Sequence, residues 1–122
     1  MPLPLSRTTI LPEAMEREVR ERMRGGTGTV EILHVLRPAE LKGKTRLFAR
    51  LALQPGSSIG YHVHDGEEEI FYILSGEGAV TDGDAVTAVG PGDAIVTGGG
   101  AGHAIECTGP GPLQLVAAIL LT

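Results

Sequence analysis

Nine short segments rich in apolar and β-branched residues, each closed by a turn, fill the chain from Thr27 onward. The expected strands are Thr29–Leu36, Arg46–Gln54, Ser58–His64, Glu69–Ser75, Gly78–Asp82, Ala85–Val89, Ala94–Thr97, His103–Thr108 and Leu113–Leu121. The turns between them are rich in Gly, Pro and Asp, as at Gln54-Pro55-Gly56, Ser75-Gly76-Glu77-Gly78 and Gly90-Pro91-Gly92-Asp93. Asp82-Gly83, set between Val80 and Val86, signals a tight hairpin. Strands this short and this closely spaced predict an all-β sandwich or barrel.

The head of the chain reads differently. Residues 12–24 predict a short helix: Pro12 suits a first helical position, and Met15, Val19 and Met23 form a stripe four residues apart. Glu13–Arg17, Glu16–Arg20 and Glu18–Arg22 are helical pairs in the favourable order, and Gly25-Gly26 is a stop. The reading divides the chain into an N-terminal arm with a short helix over 1–28 and one β-barrel domain over 29–122.

Bulk properties exclude several function classes. With 122 residues, 42% of them hydrophobic, the chain has material for one real core and does not read as disordered. No apolar run nears the roughly 20 residues that span a bilayer, so no membrane is expected. Pro4 and Pro12 interrupt the start of the chain, which reads as no signal peptide. Cys107 is the single cysteine, which fits a reducing cytoplasm. A net charge of -5 argues against a nucleic-acid surface.

The chemistry concentrates in three of the four histidines. His62 and His64 stand at i and i+2 on an expected strand and so point to one face. Glu69 follows across a turn and can return to that face, and His103 from a distant strand can complete a pocket. Three imidazoles and a carboxylate make a metal-ligand pattern. Taken without their flanking glycines, His62 and His64 are two exposed loop histidines, and Glu69 is one of the acidic run Glu67-Glu68-Glu69. Glu68 is the rival carboxylate. Glu69 is preferred for its six-residue gap to Gly76, and because it alternates with Phe71 and Ile73, whereas Glu68 shares its face with Ile70 and Tyr72.

The spacings resemble those of the cupin superfamily. Gly56, five residues, His62-Val63-His64, four residues, Glu69, six residues and Gly76 resemble the first cupin motif. Gly92, Gly100 and His103 resemble the second, with Gly98 where proline is usual and Cys107 where asparagine is usual. Both departures are at structural positions and leave the ligand set intact. The resemblance covers roughly residues 46–121 and, more weakly, 29–45.

The resemblance implies a cupin double-stranded β-helix, a jelly-roll barrel, with a metal inside it near one mouth. The implied ligands are His62, His64, Glu69 and His103. The implied cofactor is one divalent transition metal, Mn or Fe favoured, with Zn, Ni, Co or Cu also compatible with such donors. Four protein ligands leave two open positions in an octahedral field, where a small molecule or oxygen could bind. Two functions follow. One is a metalloenzyme acting on a small organic molecule, with dioxygenase-like chemistry foremost and isomerase or lyase chemistry behind it. The other is a metal-dependent binding or sensing module without turnover. Oxalate-decarboxylase-like chemistry is disfavoured: such relatives carry an arginine three residues before the first histidine, where this chain has Ile59, and usually two cupin domains against the single one read here.

The remaining candidates read as structural. His34 is a lone strand histidine, and Cys107 is a small buried residue whose face can look into the metal cavity if no bulge intervenes. Gly98–Gly102 lacks the Lys-Ser/Thr of a phosphate cradle. Arg46 and Arg50 share a strand face and read as surface charges; turned inward, they would hold an anion. Exposed strand edges and the apolar last strand favour a homodimer, by edge pairing or sheet packing.

Overall fold

The computed structural model describes residues 8–122. The first seven residues, with the Pro4 of the leader reading, lie outside the described part. Ten strands follow one another: β1 (Glu16–Glu21), β2 (Thr29–Leu36), β3 (Thr45–Leu53), β4 (Ser58–Val63), β5 (Glu67–Ser75), β6 (Gly78–Asp82), β7 (Ala85–Val89), β8 (Ala94–Gly98), β9 (Gly102–Cys107) and β10 (Leu113–Leu121). They form a six-stranded sheet, β1-β2-β3-β10-β5-β8, and a four-stranded sheet, β4-β9-β6-β7. Every pairing is antiparallel. No helix among the described residues is long and apolar enough to cross a membrane.

Period-two alternation builds the core between the sheets. Leu51 and Leu53 of β3, Phe71 and Ile73 of β5, and Leu113, Leu115 and Ala117 of β10 point inward and are buried. Ile59, Val80, Ile105 and Cys107 meet them from the smaller sheet. Burying each large side chain among these stabilises the fold by about 1.5–3 kcal/mol. The predicted hairpin forms, with Asp82 paired to Ala85 around Gly83 at φ 59°.

The expected N-terminal helix does not form. Residues 12–24 instead make a 3-10 turn at Pro12–Ala14, the edge strand β1, and the start of a second 3-10 turn at Met23–Gly25. β1 pairs with β2 along its whole length, from Glu16 opposite His34 to Glu21 opposite Thr29. A 13-residue helix is marginal alone, and its three ion pairs contribute only about 0.2–0.5 kcal/mol each. Pairing with the otherwise open edge of β2 outweighs them. The apolar stripe is not buried together either, since Val19 lies on the outer face, 62% exposed.

β10 pairs with β3 on one side and β5 on the other, so it offers a face to a partner but no edge.

Candidate metal centre and the cavity above it

The two sheets meet the motif residues from opposite sides. His62 on β4 stands directly opposite His103 on β9 in the smaller sheet. A register shift between Ile59 and His62 lets both face inward, while Tyr61 and Val63 face solvent. His64 follows β4 and is pinned by two backbone bonds: its N–H donates to Ala101 O at 2.9 Å, and its carbonyl accepts from Gly100 N–H at 2.9 Å. Glu69 comes from β5 in the larger sheet, paired opposite Ile119 and Thr97. Glu68, one residue earlier, is outside the cluster.

The donor atoms of His62, His64, Glu69 and His103 lie within 4.8 Å of one another, close enough for one ion. Glu69 Oε1 lies 3.0 Å from both His64 Nε2 and His103 Nε2, and 3.8 Å from His62 Nε2. His64 Nε2 and His103 Nε2 are 3.2 Å apart. Phe71 stacks on the His103 ring, with centroids 5.0 Å apart and 14° between planes.

Tautomers show what such a cluster can hold. His62 Nδ1 lies 2.7 Å from Gly60 O, a carbonyl that only accepts, so Nδ1 carries the proton and Nε2 is a lone pair. His64 Nδ1 lies 2.8 Å from Glu67 Oε1, and the same logic leaves its Nε2 a lone pair. Both lone pairs point toward the Glu69 carboxylate. His103 Nδ1 is buried without a partner, so its tautomer is not fixed and Nε2 can carry the one proton donated to Glu69. Two lone pairs aimed at an anion repel unless a cation sits among them. The residues therefore fit a metal ion with nitrogen-rich donors.

Protonation follows the same geometry. Burial works to raise the Glu69 carboxyl, but when the rings take up a second proton, the contacts with His103 and His62 and the imidazolium charges outweigh it and hold it at about 2. His62 is pushed up by its contact with Glu69, against burial and against repulsion from Arg24. Glu67 is held at about 2, chiefly by Arg46, which donates to it twice, at 2.6 and 2.8 Å.

The cluster floors a cavity of about 100 Å³. Apolar walls come from Ile32, Leu47, Leu51, Ile59 and Ile119, and a charged rim from Glu18, Arg20, Arg24 and Arg46. Alternation along β1 turns Glu18 and Arg20 toward the cavity. Glu18 accepts from His34 Nε2 at 2.7 Å and from Arg20 at 3.3 Å, so His34 ties β2 to β1.

Sequence reasoning left several of these residues unassigned. Glu67 shares the Glu69 face by alternation, and that was its available signal. Arg20 and Arg24 had none, because they were read as helical surface charges. Arg46 sits at the cavity rim beside a register shift in the β3–β10 pairing, whereas Arg50 remains on the outer face. Cys107 does face inward but packs in the core, its thiol donating to Gly111 O at 3.2 Å, and does not line the cavity. Gly98 replaces proline where a Cβ would come within 2.6 Å of the Glu68 Cβ, so β5 runs too close for any side chain.

Known proteins agree with this architecture. The chain is 48% identical over 99 residues to the oxalate-binding protein of Thermotoga maritima, covering 81% of this chain and 82% of that one. It superposes on the crystal structure of a predicted oxalate decarboxylase from the same organism with a TM-score of 0.88 at 42% identity, covering 94% and 100% of the two chains. The polyketide cyclase RemF of Streptomyces resistomycificus shares the fold, with a TM-score of 0.74 at 20% identity over 94% of this chain and 79% of that one. Residues 49–119 match the family described as Cupin domain, and the chain belongs to the cupin superfamily.

Proposed function

We propose that this protein binds a small dicarboxylate dianion of the oxalate type at a divalent transition metal held by His62, His64, Glu69 and His103, without turning it over. The charge balance of the cavity carries this reading. Arg20, Arg24 and Arg46 are matched by Glu18, Glu67 and Glu69. With neutral histidines, as metal ligands must be, a divalent ion leaves two positive charges uncompensated. A dicarboxylate dianion neutralises both. The cavity, about 100 Å³, is well below the roughly 300–1,000 Å³ of drug-sized pockets and suits a ligand of few atoms. The Thermotoga maritima relative is named an oxalate-binding protein, which points the same way.

Binding without turnover is supported by the state of the carboxylates. Glu18 is engaged by His34 and Arg20, Glu67 by Arg46 and His64, and Glu69 by the histidines. Moving a proton to or from a bound anion would break one of these contacts. Ile59, where oxalate-decarboxylase-like chains carry arginine, adds to this. The metal, Mn or Fe by family resemblance, supplies Lewis-acid affinity for a chelating carboxylate pair.

Calorimetry on the Mn-loaded protein tests the proposal. Oxalate should bind about one to one, the binding should vanish with EDTA, and no carbon dioxide or formate should appear. Absence of oxalate binding would sink the reading. Oxygen uptake with a catechol or diketone would replace it with the dioxygenase-like one.

We also infer a homodimer, cytoplasmic by its single free cysteine. The outer face of the larger sheet carries Ile70, Tyr72, Leu74 and Val96, all exposed. A second copy can cover this apolar face. Sedimentation that shows a monomer at every concentration would dismiss the dimer.

A further inference from the structure

The three arginines at the cavity rim differ in their partners. Arg20 is paired with Glu18 and Arg46 with Glu67. Arg24 has no salt-bridge partner among the described residues, yet it lines the cavity together with His62, His64 and Glu69. Among the described residues it is the rim guanidinium that no carboxylate pairs directly.

Its backbone is held in an unusual way. Arg24 is left-handed, at φ 56° and ψ 31°, and so is Arg22 at φ 50°. Residues with a Cβ rarely adopt this region unless their surroundings impose it. Here the turn Met23–Gly25 is docked directly onto β4. Cβ atoms at Gly26 and Gly60 would collide with the carbonyl oxygens of Ser58 and Arg24 respectively, so two glycines allow backbone to touch backbone. Thr27 fastens the junction: its N–H donates to Ser58 Oγ at 2.9 Å, and its carbonyl accepts from Ser58 N–H at 2.8 Å. Gly60 in turn precedes His62 by two residues and accepts from its ring. Arg24 is thus positioned from β4, the strand that carries His62 and leads into His64.

We propose that Arg24 is the residue that recognises the anion, gripping the carboxylate oxygens that a bound dicarboxylate turns away from the metal. This rests on the dicarboxylate reading above. It places the anion-binding arginine on the N-terminal segment, at the turn after β1, while the position on β4 three residues before His62 is the apolar Ile59. A planar guanidinium suits such a carboxylate because it donates two parallel N–H bonds.

The test compares Arg24→Asn, Arg24→Lys and Arg20→Gln with the wild-type protein, all loaded with Mn. Asparagine tolerates the left-handed conformation, so the backbone should survive. Elemental analysis should find the same metal content in Arg24→Asn, and thermal melting should be unchanged. Oxalate affinity should fall roughly tenfold to a hundredfold, as for a lost charge-assisted bond. Acetohydroxamate, which chelates metal without a second carboxylate, should bind as in wild type. Arg24→Lys should recover part of the loss, and Arg20→Gln should lose less than Arg24→Asn. Wild-type oxalate affinity in Arg24→Asn would overturn the assignment and leave the dicarboxylate reading standing. Loss of metal or of acetohydroxamate binding in that variant would also overturn it, because Arg24 would then be supporting the metal site. If wild type itself fails to bind oxalate, both readings fall. Should Arg24→Asn not fold, Arg24→Lys decides: a several-fold loss supports the assignment and unchanged affinity overturns it.

Discussion

The segment from β4 to β5 and the segment around β1 face the same cavity but are built on different principles. The first supplies three of the four candidate metal ligands from adjacent, internally patterned strands. The second supplies Glu18, Arg20 and Arg24 from an edge strand and a turn whose conformation depends on what they dock against. One segment carries its geometry in its own residue spacing. The other borrows its geometry from β2 and β4. The lesson is that a metal floor and a specificity rim can be separable parts of one site.

Removing a ligand should separate the two segments most strongly. His62→Ala and Glu69→Ala should each reduce metal from near one equivalent to almost none by elemental analysis. Losing a supporting contact alone typically costs 10–100-fold in affinity, and a ligand more. Retention of metal in either variant would dissolve the distinction between floor and rim.

The next effect lies behind the floor. Glu67→Ala removes the acceptor that orients His64, and metal affinity should fall roughly 10–100-fold in a chelator competition. Arg46→Met should do less, since Glu67 can still accept from His64. Equal effects would make Arg46 as important to the metal as Glu67.

Gly60→Ala probes the junction between the two segments. Its Cβ would meet the Arg24 carbonyl, so the turn must shift. Denaturant unfolding should show a loss of about 1–3 kcal/mol, and oxalate affinity should drop more than metal content. A variant as stable as wild type would show that the docking is loose.

The smallest effect is the pH dependence of the Arg46–Glu67 pair. The Glu67 carboxyl lies at about 2 when folded, against 4.5 as the reference for the unfolded chain. The unfolded state therefore binds more protons between those values. The pair's stabilisation is complete above pH 4.5 and is lost as pH falls toward 2. Because Arg46 is partly exposed, the contribution should be at most about 1 kcal/mol. Acid titrations monitored by circular dichroism should show wild type and Arg46→Met converging near pH 2 and separating above 4.5. Parallel curves throughout would mean that the pair contributes nothing.

Much of the fold was legible because strands announce themselves locally. Thr29–Leu36, Gly78–Asp82, Ala85–Val89 and Leu113–Leu121 have the predicted limits, and the other five expected strands differ by one or two residues at their ends. The six-residue gap to Gly76, together with alternation, separated Glu69, which is buried in the cluster, from Glu68. The head of the chain misled because its residues satisfy a helix locally, with good ion-pair spacing and a terminal glycine pair. Its alternation, Glu16, Glu18 and Arg20 against Arg17, Val19 and Glu21, carries no apolar contrast from which a strand could be read.

The all-β class, most strand limits to within a residue or two, and the grouping of His62, His64, Glu69 and His103 were readable from the chain alone. These depend on period-two alternation and on fixed spacings within one or two adjacent strands. Three features needed the folded chain: that β1 is a strand, that Glu67 backs His64, and that Arg24 stands at the rim without a carboxylate partner among the described residues. Each depends on contacts between segments far apart in sequence, such as Gly26 and Arg24 against Ser58 and Gly60. Local propensity does not encode such contacts, because their energy exists only once both partners are folded.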